Sequence, residues 1–432
     1  MQSLPFFVKS RFKMCTITEW QKEAQFVIHR LEIENFYSIR DKQVIDLVAA
    51  KSATAESGRL VPIGPGANEF APLVIALFGP NASGKSTALR ALFFLSWFMR
   101  DSFNHGIEKA LPLNRFADKE SLAAPTRLAI RLNGPSDPTR IGKKDHKSST
   151  YEYEVILGGA SGSPQKVIAE SLKYWPLETH RPINLFKRDA NGLVKAHKAF
   201  GLTGYKTALE KVLRDNASVI STLAQLRHPI ASELCCSATN VASNLHFTQE
   251  NGLDENAIAQ LYEQDPTLLS ALNSEIERID FGISAVQIKA SDTGLTTWVH
   301  HNGLTSPIAF ALESHGTRQF IKFFPLLFQA LASGGLAIID ELDISIHPHI
   351  LPHILSWFSD PKRNPHNAQL WMTAQNPSIL EELIKEEVYF CQKDSSGCTE
   401  IYGLKDIQSV RRDDNFYRKY LGGVYGAVPT FG

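Results

Sequence analysis

Two short segments of this sequence combine residue types that handle phosphate. Gly79 to Thr87, GPNASGKST, fits the pattern G-x-x-x-x-G-K-[ST]. In that pattern the glycines Gly79 and Gly84 let the backbone wrap a phosphate chain with its N–H groups turned inward, and Pro80, Asn81, Ala82 and Ser83 complete the loop. Lys85 is expected to reach the β- and γ-phosphates of a nucleotide and Ser86 to set its hydroxyl on Mg²⁺, while Thr87 lies near the α-phosphate in the same helical turn. The second segment, GGLAIIDELD from Gly334 to Asp343, is an apolar run that ends in acids. At the C-terminal edge of a strand, Asp340 would hold Mg²⁺ through its water shell and Glu341 would polarise or deprotonate the attacking water. A pair of strand-end acids facing solvent is the bland alternative, and a phosphate loop in the same chain argues against it. ATP and Mg²⁺ are the ligands this pairing predicts.

These groups need a scaffold that brings loop and acids to one edge. Leu73 to Phe78, LVIALF, is a short continuous apolar run, as expected of a buried strand in a mostly parallel sheet. Thr87 to Met99 then carries Leu89, Leu92, Phe93 and Trp97 at helical spacing, so strand, glycine loop and helix follow directly. Upstream, Val27 to Phe36 alternates and Lys42 to Leu47 reads as its hairpin partner. The segments TRLAIRL, TYEYEVIL, VIAESLKYW and PINLFKR between Thr126 and Arg188 predict an appended antiparallel sheet. From Thr203 to Ile279 apolar positions fall at helical intervals, and Val286 to Val299 returns to strands. Gly316 to Leu331 predicts a long helix with Pro325 as a kink, and Leu336 to Ile339 a buried strand. The predicted fold is α/β with a mixed sheet, an antiparallel β-lobe and a helical insert. Its expected divisions are an N-terminal lead over 1–26, an N-lobe over 27–200, the helical insert over 201–282 and a C-lobe over 283–432.

Composition narrows the class. With 432 residues, 43% of them hydrophobic, the chain can bury a substantial core. Lysine plus arginine balances aspartate plus glutamate at 45 each, so total charge argues neither for nor against a nucleic-acid partner. The five cysteines show neither a disulfide framework nor paired zinc spacing. No stretch approaches the uncharged run of about 18 residues a membrane span needs. The expectation is a cytoplasmic protein without a membrane partner.

ESHGTRQ, Glu313 to Gln319, opens the long helix with a serine and a glycine in its first turn. Followed by that helix and then by the acidic strand, it resembles the signature of ABC-class ATPases of the SMC, RecF and OLD type. The resemblance implies an ATPase head whose Ser314 and Gly316 complete the site of a second copy by binding the γ-phosphate held by the partner copy's phosphate loop. A homodimer or higher oligomer follows from it. A plain helix cap by Ser314 is the competing reading. With IENFYSIRD, FGPNASGKST, IIDELDISIHP and YLGGVYGAVP added, the chain from about residue 27 onward resembles the bacterial stand-alone ATPases of the RloA and AbiL kind, linked to abortive infection and anti-phage defence. That likeness implies a separately encoded effector, a nuclease or toxin. The residues after the acidic strand are expected to be too few for a nuclease domain of their own and carry no DxD cluster.

The sequence departs from the ABC pattern twice. LWMTAQNP places Gln375 where a histidine usually contacts the γ-phosphate; glutamine can sense that phosphate but cannot titrate as a base near neutral pH. In ISIHP, His347 stands where many relatives carry aspartate. His347, His349 and His353 also invite a metal reading, and Arg140 with His146 a ribonuclease-like one. Both are set aside: a loop leading into a solvent-facing helix accounts for the former, and the latter pair lies in a turn region rather than on a helix. The leading expectation is an ATPase that switches between open and ATP-clamped assemblies to control an effector. A RecF-like DNA-repair ATPase that binds DNA is the alternative, and a self-contained nuclease the third reading.

Overall fold

The computed structural model describes residues 26–49, 58–64, 67–140, 148–159, 162–179, 181–247, 255–279, 282–291, 294–344, 346 and 349–429. The predicted strand is Val74–Phe78, buried at every residue, and it lies within a six-stranded core sheet. Across that sheet the order is Val241–Ser243, Leu336–Ile339, Gln369–Thr373, Val74–Phe78, Val388–Lys393 and Thr399–Gly403. The first five strands run parallel and the last is antiparallel. Strands covered on both faces need apolar residues at every position, which is why VIALF, LAII and QLWMT show no alternation.

Helix Lys85–Asp101 leaves the phosphate loop and runs between two sheets, touching Gln369–Thr373 and Leu336–Ile339 of the core and Val27–Glu34 and Thr126–Ser136 of the other. Leu89, Leu92, Phe93, Phe94, Leu95 and Phe98 are all buried, so the helix is apolar nearly all round, as a helix enclosed on every side must be. The second sheet has seven antiparallel strands. Its order is Val194–Ala196, Ile183–Arg188, Lys166–Trp175, Ser148–Gly158, Thr126–Ser136, Val27–Glu34 and Gln43–Asp46. The opening hairpin and the appended sheet are therefore one structure, joined where Val27–Glu34 pairs with Thr126–Ser136. From Ser148 to Leu157 burial alternates, one face toward the core and one toward solvent. Ion pairs across the strands cover the outer face: Arg127 meets Glu32 and Glu154, and Glu152 meets Arg131 and Lys173. Gln369 ties the two sheets together, accepting from the Ile28 amide at 2.7 Å and donating to the carbonyls of Ile28 and Pro72, each at 3.0 Å.

The region from 201 to 282 is largely helical, its helices falling in two groups around one short strand. Helices Lys206–Val212, Val219–Gln225 and Pro229–Thr239 come first, and the last two pack on Lys85–Asp101. The chain then enters the core sheet as its edge strand, Val241–Ser243, parallel to Leu336–Ile339. Helices Glu255–Gln264 and Pro266–Ile279 follow and pack on a small sheet of Ile283–Ser291, Gly294–His301 and Ile308–Ala309. Three residues are too few for a period of two to stand out between helical stretches, so the pattern hides the strand. The long predicted helix is His315–Ser333, with Pro325 buried inside it. Among the described residues, no helix is long and apolar enough to cross a membrane.

Candidate functional site

The glycine loop bridges Val74–Phe78 and Lys85–Asp101, and the strands beside it dictate its glycines. Gly79 has φ 146° and Gly84 has φ 104°, both in the left-handed half of backbone space. A Cβ on Gly79 would stand 2.1 Å from the Cys391 carbonyl oxygen, and one on Gly84 would stand 2.3 Å from Thr399 Oγ1. Strands Val388–Lys393 and Thr399–Gly403 thus press directly on the loop, and only glycine fits. Thr399 Oγ1 lies 2.9 Å from both the Ser83 carbonyl and Ser38 Oγ, and Ser38 Oγ lies 3.0 Å from Thr87 Oγ1. The tip of the first hairpin is thereby fastened to the first turn of the helix.

Lys85, only 7% exposed, donates to the carbonyls of Gly79 at 2.8 Å and Pro80 at 3.0 Å. Burial lowers its pKa, while the nearby acids Asp340, Asp343 and Glu341 hold it up. Ser86 donates to Asp340 Oδ1 at 2.9 Å, joining residues 254 positions apart. Thr373, fully buried, donates to the same oxygen at 2.7 Å and accepts from the Glu341 amide at 2.7 Å. The Asp340 main chain is held on its other side by Asn244, which accepts from its amide and donates to its carbonyl, each at 2.9 Å. Glu341 adopts φ 58°, a conformation that costs a non-glycine residue about 1–2 kcal/mol. Its carboxylate accepts from Gln375 Nε2 at 3.1 Å. Burial raises its pKa and the charge of Asp340 adds to the effect, while the bond from Gln375 and the Lys85 ammonium oppose it.

The loop, Glu341 and Gln375 open onto one cavity of about 750 Å³, a size suited to a small organic ligand. Asn81 to Thr87, Glu341, Thr373 and Gln375 line it, together with Tyr37, Asn114, Arg115, Phe116 and Lys393. The Ser86 hydroxyl and the Asp340 carboxylate are hard oxygen donors already side by side, and they fit an ion such as Mg²⁺ that brings water and phosphate oxygens to fill its remaining positions. Among the described residues, no cluster of three or more His, Cys, Asp or Glu side chains is disposed to hold a metal.

Residues 74–381, well over half the chain, match the family described as "AAA domain, putative AbiEii toxin, Type IV TA system". The chain belongs to this family. Its fold is that of a P-loop ATPase: the parallel core sheet carries the phosphate loop and the acidic strand, and an antiparallel lobe covers the loop's helix. Among solved structures it is similar to the SMC head domain from Thermotoga maritima, at 12% identity and TM-score 0.39, over 87% of this chain and 98% of that one. It is similar also to an SmcHead bound to the C-winged helix domain of ScpA, at 12% identity and TM-score 0.44, over 87% and 97%. A third is the Smc head domain with an extended coiled coil bound to the C-terminal domain of ScpA derived from Pyrococcus furiosus, at 12% identity and TM-score 0.41, over 88% and 96%. No curated protein matches the sequence significantly. An AAA-domain ATPase of this kind acts on a nucleotide, and the cavity is where the chain offers groups for one.

The structure brings together Asn81 to Thr87, Asp340, Glu341 and Gln375, with Gly79 and Pro80 meeting Lys85 through their carbonyls. It does not bring Ser314 or Gly316 to that cavity. Ser314 is the N-cap of His315–Ser333, accepting from the Thr317 amide at 3.1 Å, and it is exposed. His146 and His347 lie outside the described residues. His353 stands on helix Ile350–Ser359, 3.5 Å from Glu275 and edge-on to Trp357, while His349 caps that helix. Sequence reasoning missed Thr373, Asn244, Ser38 and Thr399. Thr373 alone had a usable signal, a hydroxyl ending an apolar strand two residues before Gln375.

Proposed function

We propose that this chain hydrolyses ATP between two copies of itself and uses the ATP-clamped state to control a separately encoded effector in anti-phage defence. The observation that carries the reading is the joining of Ser86 and Asp340 beside Glu341 and Gln375 at the phosphate-loop cavity, while Ser314, exposed at the start of a 19-residue helix, is not among the residues that line it. One copy thus supplies the loop, the metal-site oxygens and the base, while Ser314 and Gly316 do not line its cavity. A helix start from a second copy offers donors to the γ-phosphate, with its N–H groups and the positive end of its dipole.

In the proposed reaction a water oxygen bonds to the γ-phosphorus as the bond to the β,γ-bridging oxygen breaks, giving ADP and phosphate. Glu341 accepts the water's proton and returns it to solvent, and its raised pKa suits that task. Lys85 takes up charge on the β- and γ-phosphates, and Gln375 keeps the Glu341 carboxylate turned toward the cavity. Bound Mg²⁺, held by Ser86 and Asp340, would supply Lewis-acid charge neutralisation. The family's description as a toxin of a toxin–antitoxin system and the resemblance to abortive-infection ATPases support the defence role.

Complementation tests the shared site. Lys85→Ala and Ser314→Ala proteins should each be inactive alone. Mixed in equal amounts, they should regain about a quarter of wild-type turnover, because half the pairs are mixed and each mixed pair holds one intact site. A mixture as inactive as its components would sink the two-copy reading. Loss of phage protection by Lys85→Ala in cells checks the defence role.

A further inference from the structure

We propose that Asp343 is a positioning residue for hydrolysis, acting through the main chain of Gln375 to fix the contact between Gln375 and Glu341. The proposal rests on the ATPase reading and deepens it. Asp343 is 9% exposed, and its Oδ2 accepts from the amides of Gln375 at 2.7 Å and Asn376 at 2.5 Å. It belongs to the same tight turn as Glu341, closed by the Ile344 amide on the Glu341 carbonyl at 3.1 Å. One four-residue turn therefore presents the base and also grips the segment that carries the base's hydrogen-bond donor. From that segment Gln375 Nε2 returns to Glu341 Oε1 at 3.1 Å, closing a ring of contacts that starts and ends in the turn.

The choice of a carboxylate is informative. Asp343 is largely buried, and burial raises its pKa against the pull of the two amides and of the Lys85 ammonium. Burying a carboxylate is unfavourable for stability alone. An ionised acceptor holds amide donors about twice as strongly as a neutral one, which is what a clamp demands. The grip also sets the start of the next element, since Asn376 caps the short helix Pro377–Glu381 by accepting from the Ser378 amide at 3.0 Å. Without it, Gln375 is free to leave Glu341, and the carboxylate loses the bond that orients it.

The test is steady-state ATP hydrolysis by full-length wild type, Asp343→Ala, Asp343→Asn, Gln375→Ala and the Asp343→Ala/Gln375→Ala double variant. Asp343→Ala should lower kcat about 10–100-fold, with KM for ATP within about two-fold of wild type. Asp343→Asn, which keeps an acceptor oxygen but loses its charge, should fall between. The double variant should be no slower than the slower single one, because both break the same contact. Hydrogen exchange at the amides of residues 375 and 376 should accelerate in Asp343→Ala. Wild-type kcat in Asp343→Ala, or losses that multiply in the double variant, would overturn the proposal. Should Asp343→Ala not fold, Asp343→Asn decides: kcat several-fold lower at unchanged KM supports the clamp, and wild-type kcat overturns it. A wild-type protein that does not hydrolyse ATP defeats the ATPase reading itself, whereas active wild type with equally active Asp343 variants defeats only this inference.

Discussion

Thr373→Val is the perturbation whose size the structure fixes best. Valine keeps the shape of threonine and removes only the hydroxyl, and the Thr373 side chain is buried at the cavity wall. Two bonds vanish together: the donation to Asp340 Oδ1 and the acceptance from the Glu341 amide, both 2.7 Å. Leaving the part-buried Glu341 amide without its partner costs about 1 kcal/mol or more, and losing a bond to a charged acceptor about 1.5–3 kcal/mol. Asp340 keeps its bond from Ser86, so the two losses do not add in full, and a net destabilisation of about 3 kcal/mol is expected. The lost amide bond also supports Glu341 at φ 58°, so the base shifts with it. Urea unfolding should therefore show Thr373→Val about 3 kcal/mol less stable than wild type, with Thr373→Ser within about 1 kcal/mol, and ATP turnover should fall at least about ten-fold in the valine variant alone. A Thr373→Val protein as stable and as active as wild type would refute the claim that this hydroxyl joins the two acids.

Other outcomes follow from single sites. Gly84→Ala should weaken nucleotide binding at least about ten-fold by titration calorimetry, since φ 104° and a Cβ 2.3 Å from Thr399 Oγ1 together force the loop to move; unchanged affinity would show that the loop tolerates the shift. His29 is 2% exposed, and its pKa is lowered to about 4 from the ordinary 6.5 by burial first and then by Arg131. Between those values the unfolded chain binds the extra proton, so the stability His29 contributes is full above pH 6.5 and is lost as pH falls toward 4, by about 3 kcal/mol. His29→Gln should flatten that part of the stability profile, measured by denaturant unfolding from pH 7 to pH 4, and an unchanged slope would remove His29 as its cause.

Much of this architecture was legible in the residue pattern, for reasons the structure makes plain. GPNASGKST and IIDELD are local: each element's function is written in adjacent residues, and VIALF and LAII are apolar at every position because both faces are covered. The antiparallel lobe was legible because one face of it meets solvent, which imposes alternation on Ser148–Gly158. What stayed hidden is held by contacts remote in sequence. Thr373 meets Asp340 across 33 positions, Asn244 across 96, and Thr399 meets Ser38 across 361. Nothing in the neighbours of those residues announces a partner. The strand Val241–Ser243 was hidden likewise, since only its register against Leu336–Ile338 makes it a strand.

Strand order explains why those particular remote contacts exist. Gln369–Thr373 lies between the acidic strand Leu336–Ile339 on one side and the phosphate-loop strand Val74–Phe78 on the other, parallel to both. All three release their chains at the same edge, where ligands of open α/β sheets bind. A side chain at the end of the middle strand is therefore within reach of both neighbours' loops, and Thr373 and Gln375 occupy that place, the first bonding Asp340 and the Glu341 amide and the second bonding the Glu341 carboxylate. On the outer sides, Asn244 follows the strand beyond the acids and fixes the Asp340 main chain, while the Cys391 carbonyl belongs to the strand beyond the loop and crowds Gly79. Each strand thus supplies support to the one beside it. A change that slipped the register of the middle strand by one residue would turn Thr373 to the opposite face, and both acids would lose their support while every residue of the phosphate loop and the acidic strand remained in place.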